Sequence, residues 1–178
     1  MDAPGTQFVA IRWINSYFCT DLPFSRMKPV LYFSLIWSMF EKDACDCNAH
    51  RGSIRSSVDR ANQTGRLRRE RYLELLRYFQ ERAVTTEQNV RSYLDTLFPD
   101  HPEPKVRKAI RVVLQGEAHE LKDTVYALLL IAYRIRNNLF HGNKAVPELP
   151  PQTDLFVEVN WLLATYLEDL LDLPIEER

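Results

Sequence analysis

The chain has 178 residues, which corresponds to one domain of about 150 residues with a modest appendage. Its composition, 46% hydrophobic and 26% charged, supplies enough apolar surface for a real core and excludes wholesale disorder. Glycine is scarce, and Gly5, Gly52, Gly65, Gly116 and Gly142 stand far apart. Phosphate-cradling loops cluster their glycines, so neither a P-loop nor a dinucleotide fingerprint can be written here.

With 23 basic and 24 acidic residues the net charge is −1, which does not describe a protein that coats nucleic acid by electrostatics alone. The distribution is uneven. Between Arg51 and Arg82 nine arginines stand against four acids, whereas from Glu148 onward eight acids stand against one arginine. These are either mutually compensating solvated faces or a basic band able to meet phosphates. The three cysteines are an odd number, and Arg12 interrupts the first apolar stretch, so no signal peptide and a reducing cytoplasm are expected. The longest uninterrupted apolar run, Val125 to Tyr133, is far short of the roughly 18–20 residues of a membrane span, so no membrane partner is expected.

In chain order, Phe8, Ile11, Ile14 and Phe18 have the spacing of a helix buried along one broad face and stopped before Pro23. Pro29 is placed as a first-turn proline for a second helix carrying Val30, Phe33, Ile36, Trp37 and Phe40 and ending at Glu41-Lys42-Asp43. Residues from about 43 to 64 are polar, with no sustained period, and are expected to form a loop with at most a short helical turn. From about Gly65 an amphipathic helix resumes with Leu67, Tyr72, Leu75, Leu76 and Phe79 inside and arginines outside. Thr85 and Gln88 have capping-box spacing for a helix with Val90, Tyr93, Leu94 and Leu97. Pro104 opens a short basic helix that Gly116 closes.

The longest helix is expected from about Glu117 to His141. Leu121, Val125, Leu128, Leu129, Ile131, Ala132 and Ile135 nearly fill its circumference, so it must be central, with Gly142 as its terminator. After a proline-bearing connector, Leu155, Phe156, Val159, Leu162, Leu163, Tyr166, Leu167, Leu170 and Leu171 form a regular final stripe stopped before Pro174. No repeat or alternating strand pattern competes, so the expected fold is all-α, a single domain over 1–178.

The residues that carry chemistry lie where the central helix gives out: Arg134-Ile135-Arg136-Asn137-Asn138-Leu139-Phe140-His141-Gly142-Asn143. On their own they read as a solvated helix end, because basic residues complement the negative helix terminus and asparagine tolerates it. Arg136 followed by the amide of Asn137, with four residues before His141, resembles the Rx4-6H motif of the HEPN superfamily (higher eukaryotes and prokaryotes nucleotide-binding), a set of all-helical bundles found in RNase toxins, abortive-infection proteins and CRISPR effectors. The resemblance covers roughly residues 117–172, with Val30 to Asp43 as an earlier family helix.

It implies a HEPN-like bundle with a long central helix and additional N-terminal helices, a motif over 136–141 at a homodimer interface, and RNA as substrate. It also allows an antitoxin or other regulatory protein as partner. One family subgroup, paired with a nucleotidyltransferase antitoxin, carries a tyrosine two residues after the histidine. Asn143 stands there, which puts regulation through that residue in doubt. Other members are catalytically silent RNA- or protein-binding modules, which is the alternative reading of this chain.

RNA can be cleaved without a cofactor when its 2′-hydroxyl is deprotonated and attacks the adjacent phosphorus, leaving a 2′,3′-cyclic phosphate and a 5′-hydroxyl. An imidazole suits the proton transfer, which points to His141, and a guanidinium suits the phosphorane charge, which points to Arg136. On a continuous helix, residues five apart lie about 140° apart. Arg136 and His141 therefore meet one phosphate only if the helix breaks near Leu139 or a second copy completes the site. Asn137, four residues before His141, falls within about 40° of it and is placed to orient the imidazole or hold a phosphate oxygen.

Among competing constellations, Cys45, Cys47 and His50, with Cys19 as a possible fourth ligand, set out a zinc-like donor group, although cysteines in such sites more often stand three apart, and no metal is assigned. Arg66, Arg68, Arg69 and Arg71 are candidates for gripping RNA phosphates, and Glu41 is a candidate for pointing into the cleft. His101 and His119 read as a loop residue and an exposed or structural one. Trp13, Trp37 and Trp161 lie on apolar stripes and are expected in the core or an interface.

Overall fold

The computed structural model describes residues 9–85, 90–99, 103–140 and 152–174. The Thr85–Gln88 cap, His101 and the stretch from His141 to Pro151 lie wholly or partly outside the described residues. The described residues form eight α-helices and no strand: α1 (Ala10–Phe18), α2 (Phe24–Cys45), α3 (Arg51–Gln63), α4 (Arg69–Thr85), α5 (Val90–Leu97), α6 (Pro104–Leu114), α7 (Leu121–Phe140) and α8 (Thr153–Leu171).

α7 is the centre. Its Val125, Ala127 to Ala132 and Ile135 are buried around the full circumference, and α3, α4, α5, α6 and α8 pack on it. α2 runs along α8, joined by Phe33 against Phe156, with ring centroids 5.5 Å apart, and Phe40 against Tyr166 at 5.9 Å. α8 ends at Asp172, which takes the left-handed conformation (φ 56°) and caps the helix two residues before Pro174.

Three expectations are corrected. Residues 51–63, expected within a loop, form α3, which buries Ile54, Ser57, Val58 and Ala61 against the core. Its period is weak in the sequence because one core position is polar: Ser57 lies 2.7 Å from the Tyr166 hydroxyl and shares a hydrogen bond with it. An unusual cap starts α3. The His50 imidazole Nδ1 accepts from the backbone N–H groups of Gly52 (3.0 Å) and Ser53 (3.3 Å), while Ser53 Oγ accepts from His50 N–H. A Cβ at Gly52 would stand 2.9 Å from the imidazole, so a larger residue there displaces the cap.

The second correction is α1, none of whose residues is buried; Trp13 is 57% exposed, whereas Trp37 is buried and Trp161 half-buried. Ile11 is partly buried against the core, and the rest of the apolar side of α1 is no more than partly buried among the described residues. Third, Pro29 lies inside α2, which begins five residues earlier at Phe24. The ring removes one backbone donor there, while the Pro29 carbonyl accepts from Asn160 Nδ2 at 2.8 Å and ties α2 to α8.

A buried polar clasp joins the start of α4 to the end of α8. Asp169, with no side-chain exposure, accepts from the Tyr72 hydroxyl (2.8 Å), Arg68 N–H (3.1 Å) and Arg71 Nη1 (3.2 Å), and Arg71 also pairs with Glu168. Asp169→Ala would leave the Tyr72 hydroxyl unpaired inside the protein and Arg71 with Glu168 as its remaining carboxylate, and should cost about 3–5 kcal/mol of unfolding free energy in a denaturant titration. Asp169→Asn should cost less.

Burial, and for Tyr72 the adjoining Asp169 carboxylate, pushes the Tyr72 and Tyr93 phenols well up and that of Tyr166 to about 12. Because the folded state holds these phenols protonated beyond the ordinary value of about 10, their contribution is complete below that pH and declines as pH rises through the folded values. Helicity should therefore be lost in the alkaline range above about pH 10, and far-UV circular dichroism should fall together with the appearance of tyrosinate absorbance.

Candidate functional site

The polar residues at the end of α7 divide into two faces. Arg134 and Asn138, one turn apart, point to the α5–α6 side. Arg134 is 4% exposed; its Nε donates to the Leu97 carbonyl (3.2 Å), its Nη1 donates to Glu103 (3.0 Å), and its guanidinium lies 4.6 Å from the Phe98 ring centroid. Asn138 Nδ2 donates to the same carbonyl at 3.2 Å. These two side chains hold α7 to the segment between α5 and α6 and present little to solvent. Sequence reasoning did not separate them from the rest of the motif, although their four-residue spacing was the available signal.

Arg136 and Asn137 take the other side. The Arg136 guanidinium lies 5.9 Å from the Trp37 ring centroid and 5.3 Å from that of Phe140. Arg136 Nη1 donates to Asn137 Oδ1 at 3.2 Å, so the amide orients the cation. Among the described residues no carboxylate pairs with Arg136, and its buried Nε, like Trp37 Nε1, has no acceptor. The result is a half-buried cation on an aromatic bed with donor capacity to spare. The helix stays regular through Leu139 to Phe140, so the break near Leu139 does not occur and α7 carries Arg136 unbent to the residue before His141. His141, Gly142 and Asn143 lie outside the described residues.

The other sequence candidates go elsewhere. Arg66 Nη1 donates to the Leu170 carbonyl (2.7 Å), Arg68 approaches Asp169 (3.8 Å) and Asp172 (4.0 Å), and Arg71 belongs to the clasp. Of the four, Arg69 is the exposed residue without such a tie to α8 among the described contacts. The basic and acidic stretches thus meet each other. Glu41 is engaged locally: its Oε1 accepts from Ala49 N–H at 3.1 Å and its carbonyl accepts from Cys47 N–H at 2.9 Å, closing the α2–α3 turn.

The metal-like group is not assembled. His50 Nδ1 is committed to the α3 cap, Cys45 is buried, and Cys19 and Cys47 are exposed; among the described residues no three His, Cys, Asp or Glu side chains converge. His119 is exposed in the α6–α7 connection. No helix among the described residues is long and apolar enough to cross a membrane.

A feature the sequence reading missed is a cavity of about 620 Å³ beside the same helix, between the start of α3, the start of α6 and α7. Arg51, Arg55, Lys105, Tyr126 and Tyr133 line it. The seven-residue interval between the tyrosines, two helical turns, was a readable signal. Arg51 and Arg55 were read only as part of the wider basic band, because their segment was expected to be a loop.

No protein-family model matches the chain, and no curated protein or solved structure shows significant similarity to it.

Burial in apolar surroundings raises the Cys45 thiol to about 11, well above an ordinary cysteine. At neutral pH a thiol reagent should therefore modify Cys19 and Cys47 readily and Cys45 only after unfolding. Stoichiometry with and without denaturant, read by mass spectrometry, checks this.

Proposed function

We propose that the chain is a metal-independent endoribonuclease of HEPN type that acts as a homodimer, in the manner of cytoplasmic toxin and phage-defence effectors. The observation that carries this reading is Arg136: a guanidinium held on Trp37 and Phe140, oriented by Asn137, with an unspent buried donor and no carboxylate partner among the described residues. A cation so placed is pre-organised for an anion and loses little side-chain freedom on binding one.

In the proposed reaction His141 takes the proton of the RNA 2′-hydroxyl, and the 2′-oxygen attacks the adjacent phosphorus. Arg136 neutralises the added charge on the non-bridging oxygens. The bond from phosphorus to the 5′-oxygen breaks, and an imidazolium returns a proton to that oxygen. The products are a 2′,3′-cyclic phosphate and a 5′-hydroxyl. In this reading the cleft is shared by two copies: α7 is unbroken through Phe140, and on a continuous helix positions five apart lie about 140° apart. Phe140, 54% exposed beside Arg136, is an apolar surface such a pairing would cover.

The test is RNA cleavage in EDTA with analysis of product ends. Cleavage should persist in EDTA, fall about 10²–10³-fold in Arg136→Ala and about 10²–10⁴-fold in His141→Ala, and leave cyclic phosphate ends. Cleavage that EDTA abolishes, or that neither substitution affects, would overturn the mechanism. RNA binding without cleavage would point instead to the silent binding module.

A further inference from the structure

We propose that the cavity between α3, α6 and α7 is a nucleotide subsite that grips one phosphate and one base of a single-stranded RNA on its way to Arg136. The inference rests on the ribonuclease reading and extends it to residues outside the motif.

The cavity volume, about 620 Å³, lies within the range of small-ligand pockets and exceeds what a bare anion needs. Its cations differ in how far they are committed. Arg55 is fully engaged, with Nη1 on Asp123 at 2.8 Å, a second contact to Asp59 at 3.3 Å, and its guanidinium 5.1 Å from the Tyr126 ring centroid. It fixes the wall. Arg51 is 3.7 Å from Glu103, but that carboxylate is held more closely by buried Arg134, so Arg51 is weakly compensated. Lys105 is exposed at the start of α6 and makes no ion pair among the described residues. Arg51 and Lys105, from two different helices, are therefore the phosphate donors.

The aromatic wall decides the class of ligand. Tyr126 and Tyr133, both partly exposed, share one face of α7, a stacking surface suited to an unpaired base. Tyr133 connects the cavity to the motif: its ring centroid is 6.3 Å from that of Trp37, the residue on which Arg136 rests. A strand bound in the cavity and extended along α7 thus leads to the motif end. An acidic peptide would satisfy the cations but leave the tyrosine faces unused.

Binding can be read separately from cleavage with a short, fluorescein-labelled RNA oligomer carrying 2′-O-methyl riboses, which lacks the nucleophile. Fluorescence anisotropy on the full chain should show binding, and the paired substitutions Arg51→Gln and Lys105→Gln should weaken it about tenfold or more. They should also reduce the slope of log affinity against log salt by about 0.7, the value for one phosphate no longer neutralised on a single strand. A single-charge control, Arg77→Gln, on the exposed side of α4, should change affinity less than about twofold.

The proposal is overturned if the oligomer does not bind, if the paired substitutions leave affinity and salt slope unchanged, or if inorganic polyphosphate of equal charge or poly-aspartate competes as well as RNA. If these binding differences hold while unmodified RNA is not cleaved, the subsite stands and the ribonuclease reading fails. If cleavage follows Arg136 and His141 while binding ignores Arg51 and Lys105, the subsite fails alone.

Discussion

Every large feature of this fold follows from the need to keep α7 out of water. A helix apolar around its whole circumference loses stability on every face it exposes, at about 25 cal/mol per Å² of apolar surface. Enclosure is supplied by α3, α4, α5, α6 and α8, and α2 then closes over α8. The last turns of α7 are the exception, where the apolar sequence yields to Arg134, Arg136, Asn137 and Asn138. A polar cluster at the end of an enclosed helix must either be satisfied internally or face something polar. Arg134 and Asn138 meet the first demand through Leu97 and Glu103, and Arg136 with Asn137 is left for the second.

The charge distribution is resolved by the same packing. The arginine-rich start of α4 lies against the acidic end of α8, so the two most charged stretches neutralise each other across a partly buried interface. Taking these charges from water is costly, and the cost is offset only because Asp169 accepts several donors at once. The clasp therefore favours one docking of α4 on α8 more than it adds net stability. It also ties Arg66, Arg68 and Arg71 of the densest basic cluster to α8, and leaves Arg69, Arg51 and Lys105 among the cations that are weakly compensated or unpaired among the described contacts.

Arg136 combines two environments that are usually separate. Its guanidinium rests on aromatic faces, which a weakly hydrated planar cation tolerates, and part of it is shielded from solvent. Shielding strengthens any interaction with an anion and penalises leaving the cation bare. Tyr133 and Trp37 extend this aromatic bed toward the cavity, so motif and cavity share one wall of the protein.

Much of this was legible in the sequence. The all-α class, the central position of α7, the opening of α6 at Pro104 and the stripe of α8 follow from local rules of spacing, capping and composition, which act within a few residues. The motif residues were legible as a group for the same reason. What the sequence could not decide were matters that depend on distant partners. α3 was hidden because Ser57 fills a core position only when Tyr166, more than a hundred residues away, bonds to it. Arg71 looked like a surface arginine until Asp169 and Glu168 were placed beside it, and the bond from Ala49 N–H to Glu41 could not be read from spacing. The division of the motif into an anchoring pair and a presenting pair likewise depended on where Leu97, Glu103 and Trp37 came to lie. Local periodicity determines most of the helices, α3 excepted, and which residues are apolar; only the tertiary structure decides which charges are spent on one another, because that depends on contacts between segments far apart in the chain.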